Sequence, residues 1–479
     1  MTQENSSAAM SPQQEAKMRK KSWFAWLQSV AGFSSQIVAS TATNTYTICV
    51  ALIATQLGCT AADLAIASSL FGATYAGFSW LWGNLADRIG IRWSISLAPV
   101  WVGVGFIIIS LFANSIVSYA ILCALAGVGM GGVSGATLSK AIGSWYNTNW
   151  RGKGMILVNM GGNAASTIMG IATPILISNG WQGAYMIMGI AYLCCGVLNF
   201  ILFRDSPAAI GTVPFGSPKG TMPAPYEKKA QMSPEEKAAE KKAKNEATIR
   251  CLKDPMTWKF GVIYAFWQLQ MNSNKAFMVA AVVAAGIGDV AFGGGLMAGF
   301  SFAMLFGQPI ISFLGDYFPR KYVFGAGVLA AGCCFVAIWF AFGAGNAAAL
   351  PPIYSVLGFV SGTVGISWVM MAESFPPNMR GTGPGVVSTF GIIGRVGGPL
   401  LAAFWINTFF GGDTASYVLF AAACMLIAGV LIFIWLPKTS GKYGDPLAAK
   451  YYKEHPEEAP EGYFDSKKVE TLIEKGSRA

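Results

Sequence analysis

The stretch Gly83-Asn84-Leu85-Ala86-Asp87-Arg88-Ile89-Gly90-Ile91-Arg92 is a short charged turn bearing two glycines, wedged between two long apolar runs. It recurs in worn form as Leu314-Gly315-Asp316-Tyr317-Phe318-Pro319-Arg320-Lys321, where Asp316 stands 229 residues after Asp87. A second motif repeats at the same separation. Asn149-Trp150-Arg151-Gly152-Lys153-Gly154 matches Asn378-Met379-Arg380-Gly381-Thr382-Gly383, with Arg380 again 229 residues after Arg151. Two unrelated motifs at one offset indicate a duplicated half.

Working outward, the chain of 479 residues is 54% hydrophobic and only 12% charged, against roughly a quarter charged in an ordinary soluble domain. Most of it is therefore expected in lipid. The basic excess, 33 Lys+Arg against 23 Asp+Glu, lies in loops and tails beside apolar runs and does not form a nucleic-acid surface. Most of the cysteines, Cys49, Cys123, Cys194, Cys195, Cys333, Cys334 and Cys424, fall inside apolar runs without a C-x-x-C pair, and read as small buried hydrophobes. His455, in the polar tail, is the sole histidine. Histidine triads and histidine-rich metal centres are thereby excluded, and neither cofactor nor metal is predicted.

Apolar runs long enough to span, at the ~20 residues a bilayer requires, occur at about 24–54, 61–83, 92–113, 117–142, 154–178 and 181–203, and again at about 257–284, 291–313, 322–344, 350–372, 383–408 and 415–436. The expected fold is an all-α integral membrane protein of twelve transmembrane helices in two six-helix repeats. Its parts are a tail at 1–22, a first bundle at 23–203, a linker at 204–255, a second bundle at 256–436 and a tail at 437–479. The first run is too long for a signal-peptide core and is expected to remain as a helix. Within the linker, Ser233-Pro234-Glu235-Glu236 supplies an N-cap, a first-turn proline and acidic residues, the start of a short solvated helix. Loops on one side carry Arg88, Arg92, Arg151, Lys153, Arg204, Arg320, Lys321 and Arg380, whereas those on the other carry neither Lys nor Arg. The positive-inside rule then puts both termini in the cytoplasm.

Gly127-Val128-Gly129-Met130-Gly131-Gly132 satisfies G-x-G-x-x-G but lies inside a membrane run, where no strand precedes it. Gly127, Gly131 and Gly135, four apart, instead favour close helix packing. The chain has no G-x-x-x-x-G-K-[ST] motif, so a gradient and not ATP is the expected energy source.

Ionisable groups at membrane depth usually face a cavity. Arg395 lies about twelve residues into its run, or ~18 Å at 1.5 Å per residue, and Lys275 lies in the outer half of the seventh run, within reach of the interface by snorkelling. No Asp, Glu or His accompanies them, so the cavity is expected to hold an anion. Gln36, Ser40, Asn44 and Thr47 recur at helical spacing on the first run, and Gln268, Gln270, Asn272 and Asn274 crowd the seventh near Trp267. The 229-residue offset pairs Tyr46 with Lys275, while Asn163, Gln308, Tyr354 and Trp368 complete the candidate binding set. Some of these polar groups serve as interhelical glue in any membrane bundle.

The turn G-x-L-A-D-R-x-G-x-R, together with the Arg151-Gly152 pair after the fourth run, resembles the loop signatures of the major facilitator superfamily of transporters. The resemblance covers everything outside the termini and central loop. It implies that Asp87, on a turn with Gly83, Arg88, Gly90 and Arg92, latches the two halves on the cytoplasmic side against the start of the eleventh helix, with Arg151, Asp316 and Arg380 as further members. Gly307-Gln308-Pro309 and Gly394-Arg395-Val396-Gly397-Gly398-Pro399 look most like the oxalate/formate antiporter branch, which however carries arginine where Gln308 stands and lysine where Gly391 stands. The implied protein is a monomeric secondary transporter of the plasma membrane and not an enzyme. It moves an organic anion, a carboxylate, with a proton or counter-anion as coupling partner, and the two departures from the branch favour a larger monoanion over a small dicarboxylate. A carrier of neutral or cationic molecules and a non-transporting receptor of the same fold are the alternatives.

Overall fold

The computed structural model describes residues 12–133, 136–217, 242, 245–246, 248–375, 379, 383–438 and 446–456. The helix expected from Ser233 and the loop residue Arg380 lie outside the described residues, as do the side chains of Asp87 and Arg151. A short helix α1 (Pro12–Ser22) runs almost without interruption into α2 (Phe24–Leu57), which stops where Gly58 turns left-handed at φ 64° and donates its N–H to the Ala54 carbonyl. The first half continues with α3 (Ala65–Ile89), α4 (Ile91–Phe112), α5 (Ile116–Val133), α6 (Ala136–Gly143), α7 (Thr148–Leu176) and α8 (Gly180–Leu202).

The second half comprises α9 (Pro255–Ala284), α10 (Val290–Tyr317), α11 (Arg320–Gly343), α12 (Leu350–Ser361), α13 (Val364–Glu373), α14 (Gly383–Thr389), α15 (Gly391–Phe409) and α16 (Tyr417–Trp435), with a tail helix α17 (Pro446–Glu454). Helix starts follow local chemistry. The Asp254 side chain accepts from Met256 N ahead of Pro255, and Asp289 accepts from Phe292 N at 2.8 Å to cap α10.

Two expected single spans are each divided. The tenth breaks at Gly362-Thr363, and the eleventh turns at Phe390. At Gly362 a Cβ would stand 2.9 Å from Gln308 Cα, so the tenth segment lies against α10 too closely to carry a side chain there.

Among the described residues, ten helical segments are long and apolar enough to cross a bilayer. Neither α3 nor α9 is among them, although they run to 25 and 30 residues. Both contribute polar side chains to the central cavity described below, and that polarity lowers their hydropathy.

Duplication is visible in the packing. In the first half α3 lies on α5, α4 on α8 and α2 on α7; in the second, α10 lies on α12, α11 on α16 and α9 on α15, the same three pairings. Small residues permit the closest of these. A Cβ at Gly127 would sit 2.6 Å from the Phe71 carbonyl oxygen, and one at Gly131 would sit 2.7 Å from Ser79 Cα.

The halves meet chiefly through α7 on α10, α3 on α15 and α2 on α9. They come close at Gly170, where a Cβ would stand 2.6 Å from Ala298 Cβ, and at Gly72, where it would stand 3.0 Å from the Arg395 carbonyl oxygen. Both lie in the half of the molecule away from the basic loops. At the basic-loop end α6, α13 and α14 pack mainly within their own halves.

The linker begins against the first half. Phe215 bridges Tyr146, donates its N–H to the Trp145 carbonyl at 2.8 Å and is ringed by Trp23, Trp26 and Trp150.

Candidate binding cavity

Between the halves lies a cavity of two adjoining lobes, about 230 and 190 Å³, which share Gln36, Ser40, Met271 and Lys275. On α2 the residues Gln36, Ser40, Asn44 and Thr47 fall every three or four positions, so they form one stripe, and all four line the larger lobe. Across from them α9 presents Met271, Asn274, Lys275 and Met278, and α10 presents Met297, Phe300, Ser301 and Met304. Asn163 and Ser166 of α7 close the side, with Asn44 Nδ2 donating to Ser166 Oγ at 3.0 Å and Asn163 Nδ2 to Gln308 Oε1 at 3.4 Å across the halves. The smaller lobe is bounded by Ser68, Phe71 and Tyr75 of α3, Gln268 and Asn272 of α9, and Arg395 of α15.

Arg395 holds its guanidinium carbon 4.2 Å above the Tyr75 ring, a cation–π contact between the halves. Its backbone is held by the same helix, since Ser69 Oγ donates to the Val396 carbonyl at 2.9 Å. Lys275 is half-buried and lines both lobes, so it faces the cavity and does not snorkel to lipid. Among the described residues, no carboxylate pairs with either cation. Around them the amides are tethered, with Gln268 Nε2 donating to the Tyr264 hydroxyl at 2.8 Å and Asn272 Nδ2 to the Gln268 carbonyl at 2.7 Å.

Four candidate residues stand elsewhere. Tyr46 is buried in the first half, against a small void with Phe106, Cys123 and Tyr185 that borders the smaller lobe at Thr43, Ser68 and Phe71, and among the described residues its hydroxyl has no hydrogen-bond partner. The adjacent Thr47 lines the larger lobe with Lys275 instead; one residue is about 100° around a helix, enough to turn Tyr46 to another face. Trp267 is buried in the hydrophobic core. Tyr354 lies behind the wall, its hydroxyl 3.0 Å from that of Tyr417, which donates to Asn274 Oδ1 at 3.1 Å. Trp368 packs on Tyr264 with ring centroids 5.8 Å apart and stays largely exposed.

Of the proposed latch, Gly83 and the exposed Arg88 sit in the last two turns of α3. Gly90 and Arg92 are tied inside the first half. Gly90 adopts φ 96°, and a Cβ there would meet Asp205 Oδ1 at 2.8 Å; that oxygen accepts from Arg92 N at 3.0 Å, while Arg92 Nε donates to the Phe200 carbonyl at 2.7 Å. In the second half Asp316 pairs with Arg320 at 3.0 Å, and Arg320 also pairs with Glu373.

The methionine wall and Tyr75 went unread in sequence. Their signal existed, because Met271 and Met278, like Met297 and Met304, are seven apart, but the same spacing marks any buried helix face.

Duplicated helical halves around a shared polar cavity, in a chain with many bilayer-length helices, define an integral, multi-pass membrane protein of the transporter type. The chain belongs to the Major Facilitator Superfamily, which it matches over residues 32–273 and 260–460. It is similar to the membrane sensor protein UhpC of Salmonella typhimurium, 25% identical over 158 residues, covering 33% of this chain and 35% of the relative. It is 28% identical over 162 residues to the probable sulfoacetate transporter SauU of Cupriavidus necator, covering 33% and 36% of the two chains. With the hexuronate transporter of Bacillus subtilis the identity is 29% over 164 residues, covering 33% and 35%. The matched region thus spans about a third of these relatives' length. Among solved structures, an inward-facing, unoccupied bacterial homologue of the human lysosomal transporter Spinster superposes with a TM-score of 0.62 at 16% identity, covering 85% of this chain and 95% of that one. The D-xylose-proton symporter does so with 0.62 at 15%, covering 88% and 98%. Both likenesses concern the fold.

Proposed function

We propose that this protein is a secondary transporter of a small organic anion, working by alternating access of two six-helix bundles with both termini cytoplasmic and twelve crossings, α3 and α9 being the two most polar. The observation that carries this reading is the pair Arg395 and Lys275, which line one cavity between the halves without a carboxylate partner among the described residues. A guanidinium or ammonium withdrawn from water needs an anionic partner, and a substrate is the group free to supply one. The names of two similar proteins support it, since sulfoacetate and hexuronates are small organic anions.

Among the described residues, no Asp, Glu or His lines either lobe. Coupling is therefore assigned to a proton carried on the substrate or to exchange against a second anion. Uptake into proteoliposomes against a panel of carboxylates, with pH gradient and membrane potential varied separately, tests the proposal. Anion-specific flux is expected, and transport of only neutral or cationic compounds would refute it. A second reading, a non-transporting sensor, is favoured by the similarity to UhpC; it predicts anion binding without flux in the same vesicles. The latch remains proposed for Asp87, with Arg151 and Arg380 as its partners. Asp87→Asn should lower transport with little change in membrane insertion, since loss of an anion at a helix N-terminus costs ~0.3–1 kcal/mol when exposed.

A further inference from the structure

The two lobes differ in chemistry, and the difference specifies the body of the ligand. The smaller lobe has both cations, with Gln268 and Asn272 beside them. The larger keeps only Lys275, at the shared boundary, and has two unlike walls. One wall, from the first half, offers Gln36, Asn44, Asn163 and Ser166. The opposite wall, from α9 and α10, is mostly Met271, Met278, Met297, Phe300 and Met304, with Asn274 and Ser301 between them. Four thioethers and a phenyl ring make a polarizable surface that favours sulfur–aromatic contacts. Its polar members are few: Asn274 Oδ1 already accepts from the Tyr417 hydroxyl, and Ser301 stands among the thioethers.

From this geometry we infer that the ligand is an aryl carboxylate, its carboxylate between Arg395 and Lys275 in the smaller lobe and its ring flat against the methionine wall of the larger. The inference rests on the anion reading above. Size agrees, because a cavity of about 150 Å³ accepts a benzene ring and the larger lobe measures about 230 Å³. Lys275 at the junction is placed to face the carboxylate on one side and the ring on the other, the latter as a cation–π contact. A sugar acid would set the hydroxyls of one of its faces against thioethers, and a two-carbon sulfonate would leave the larger lobe unfilled.

The test is calorimetry on the purified full chain with phenylacetate, galacturonate and sulfoacetate. Phenylacetate is expected to bind at least about tenfold more tightly than either of the others. The double variant Met297→Ser/Met304→Ser should lose about tenfold for phenylacetate and change sulfoacetate less than about twofold, whereas Met297→Leu/Met304→Leu, which keeps the wall apolar, should stay within about threefold of the parent. Tighter binding of galacturonate, or equal losses in the Ser and Leu variants, would overturn the aryl assignment and leave the anion reading intact. Arg395→Gln separates the two: affinity for all three anions unchanged within about twofold overturns the anion reading itself.

Discussion

Arg395 has its guanidinium carbon 4.2 Å over the Tyr75 ring, and a guanidinium can meet a ring with its face while its N–H edge takes a carboxylate. Arg395→Lys should accordingly recover only part of the anion binding lost in Arg395→Gln, because an ammonium cannot engage two oxygens in parallel. Replacing Tyr75 by Leu removes the contact that sets the plane of the fork. An exposed cation–π pair contributes ~0.5–1 kcal/mol, so calorimetry on Tyr75→Leu should show anion affinity weakened about two- to fivefold; tighter binding would mean that the ring competes with the ligand. A different residue-scale question concerns Arg320, whose side chain is 9% exposed and faces two carboxylates, Asp316 at 60% and Glu373 at 24% exposure. Solvent screens the first pair more than the second. Thermal unfolding should show Glu373→Gln lowering the midpoint distinctly and Asp316→Asn hardly at all.

At the scale of elements, the contact of α7 with α10 closes the end of the cavity away from the basic loops, and it depends on bare backbone at Gly170. Gly170→Leu places side-chain atoms where the Gly294 carbonyl and Ala298 Cβ already stand. The variant should fail to close that end. A cysteine at Thr47, in a background freed of native thiols, should then react with an impermeant maleimide from the far side, and unchanged protection would show that the helices shift to accommodate the leucine. Helix breaks belong to this scale too. The tenth segment reads as one apolar run, yet it divides at Gly362 because the neighbouring α10 backbone lies there, a partner that local propensity does not see.

For the whole molecule, absence of Lys and Arg from every loop on one side predicts the orientation. A cysteine at Asn346 should be labelled by an impermeant thiol reagent from outside and one at Ser217 only from inside; the reverse pattern would overturn the topology. The equal helix pairings of the two halves agree with the 229-residue offset read from the loops, since a duplicated chain that keeps its small and polar residues at matching depths packs the same way twice.

Periodicity, loop charge and the internal repeat by themselves determined the helical class, the two halves and the stripe Gln36, Ser40, Asn44, Thr47, because each is a property of one helix or of one loop. Arg395 and Lys275 were legible for the same reason, a charge in an apolar run being costly wherever it points. Which of two adjacent residues meets the other half was not. The loop offset names Tyr46 as the counterpart of Lys275, yet Thr47 and not Tyr46 lines the larger lobe, since one residue turns a helix by about 100°. The methionine wall, Tyr75 above Arg395 and the contact of Glu373 with Arg320 arise only when segments far apart in sequence are brought together. Tertiary packing alone decided them, because a side chain seven residues from its like faces a cavity or a core according to what stands opposite.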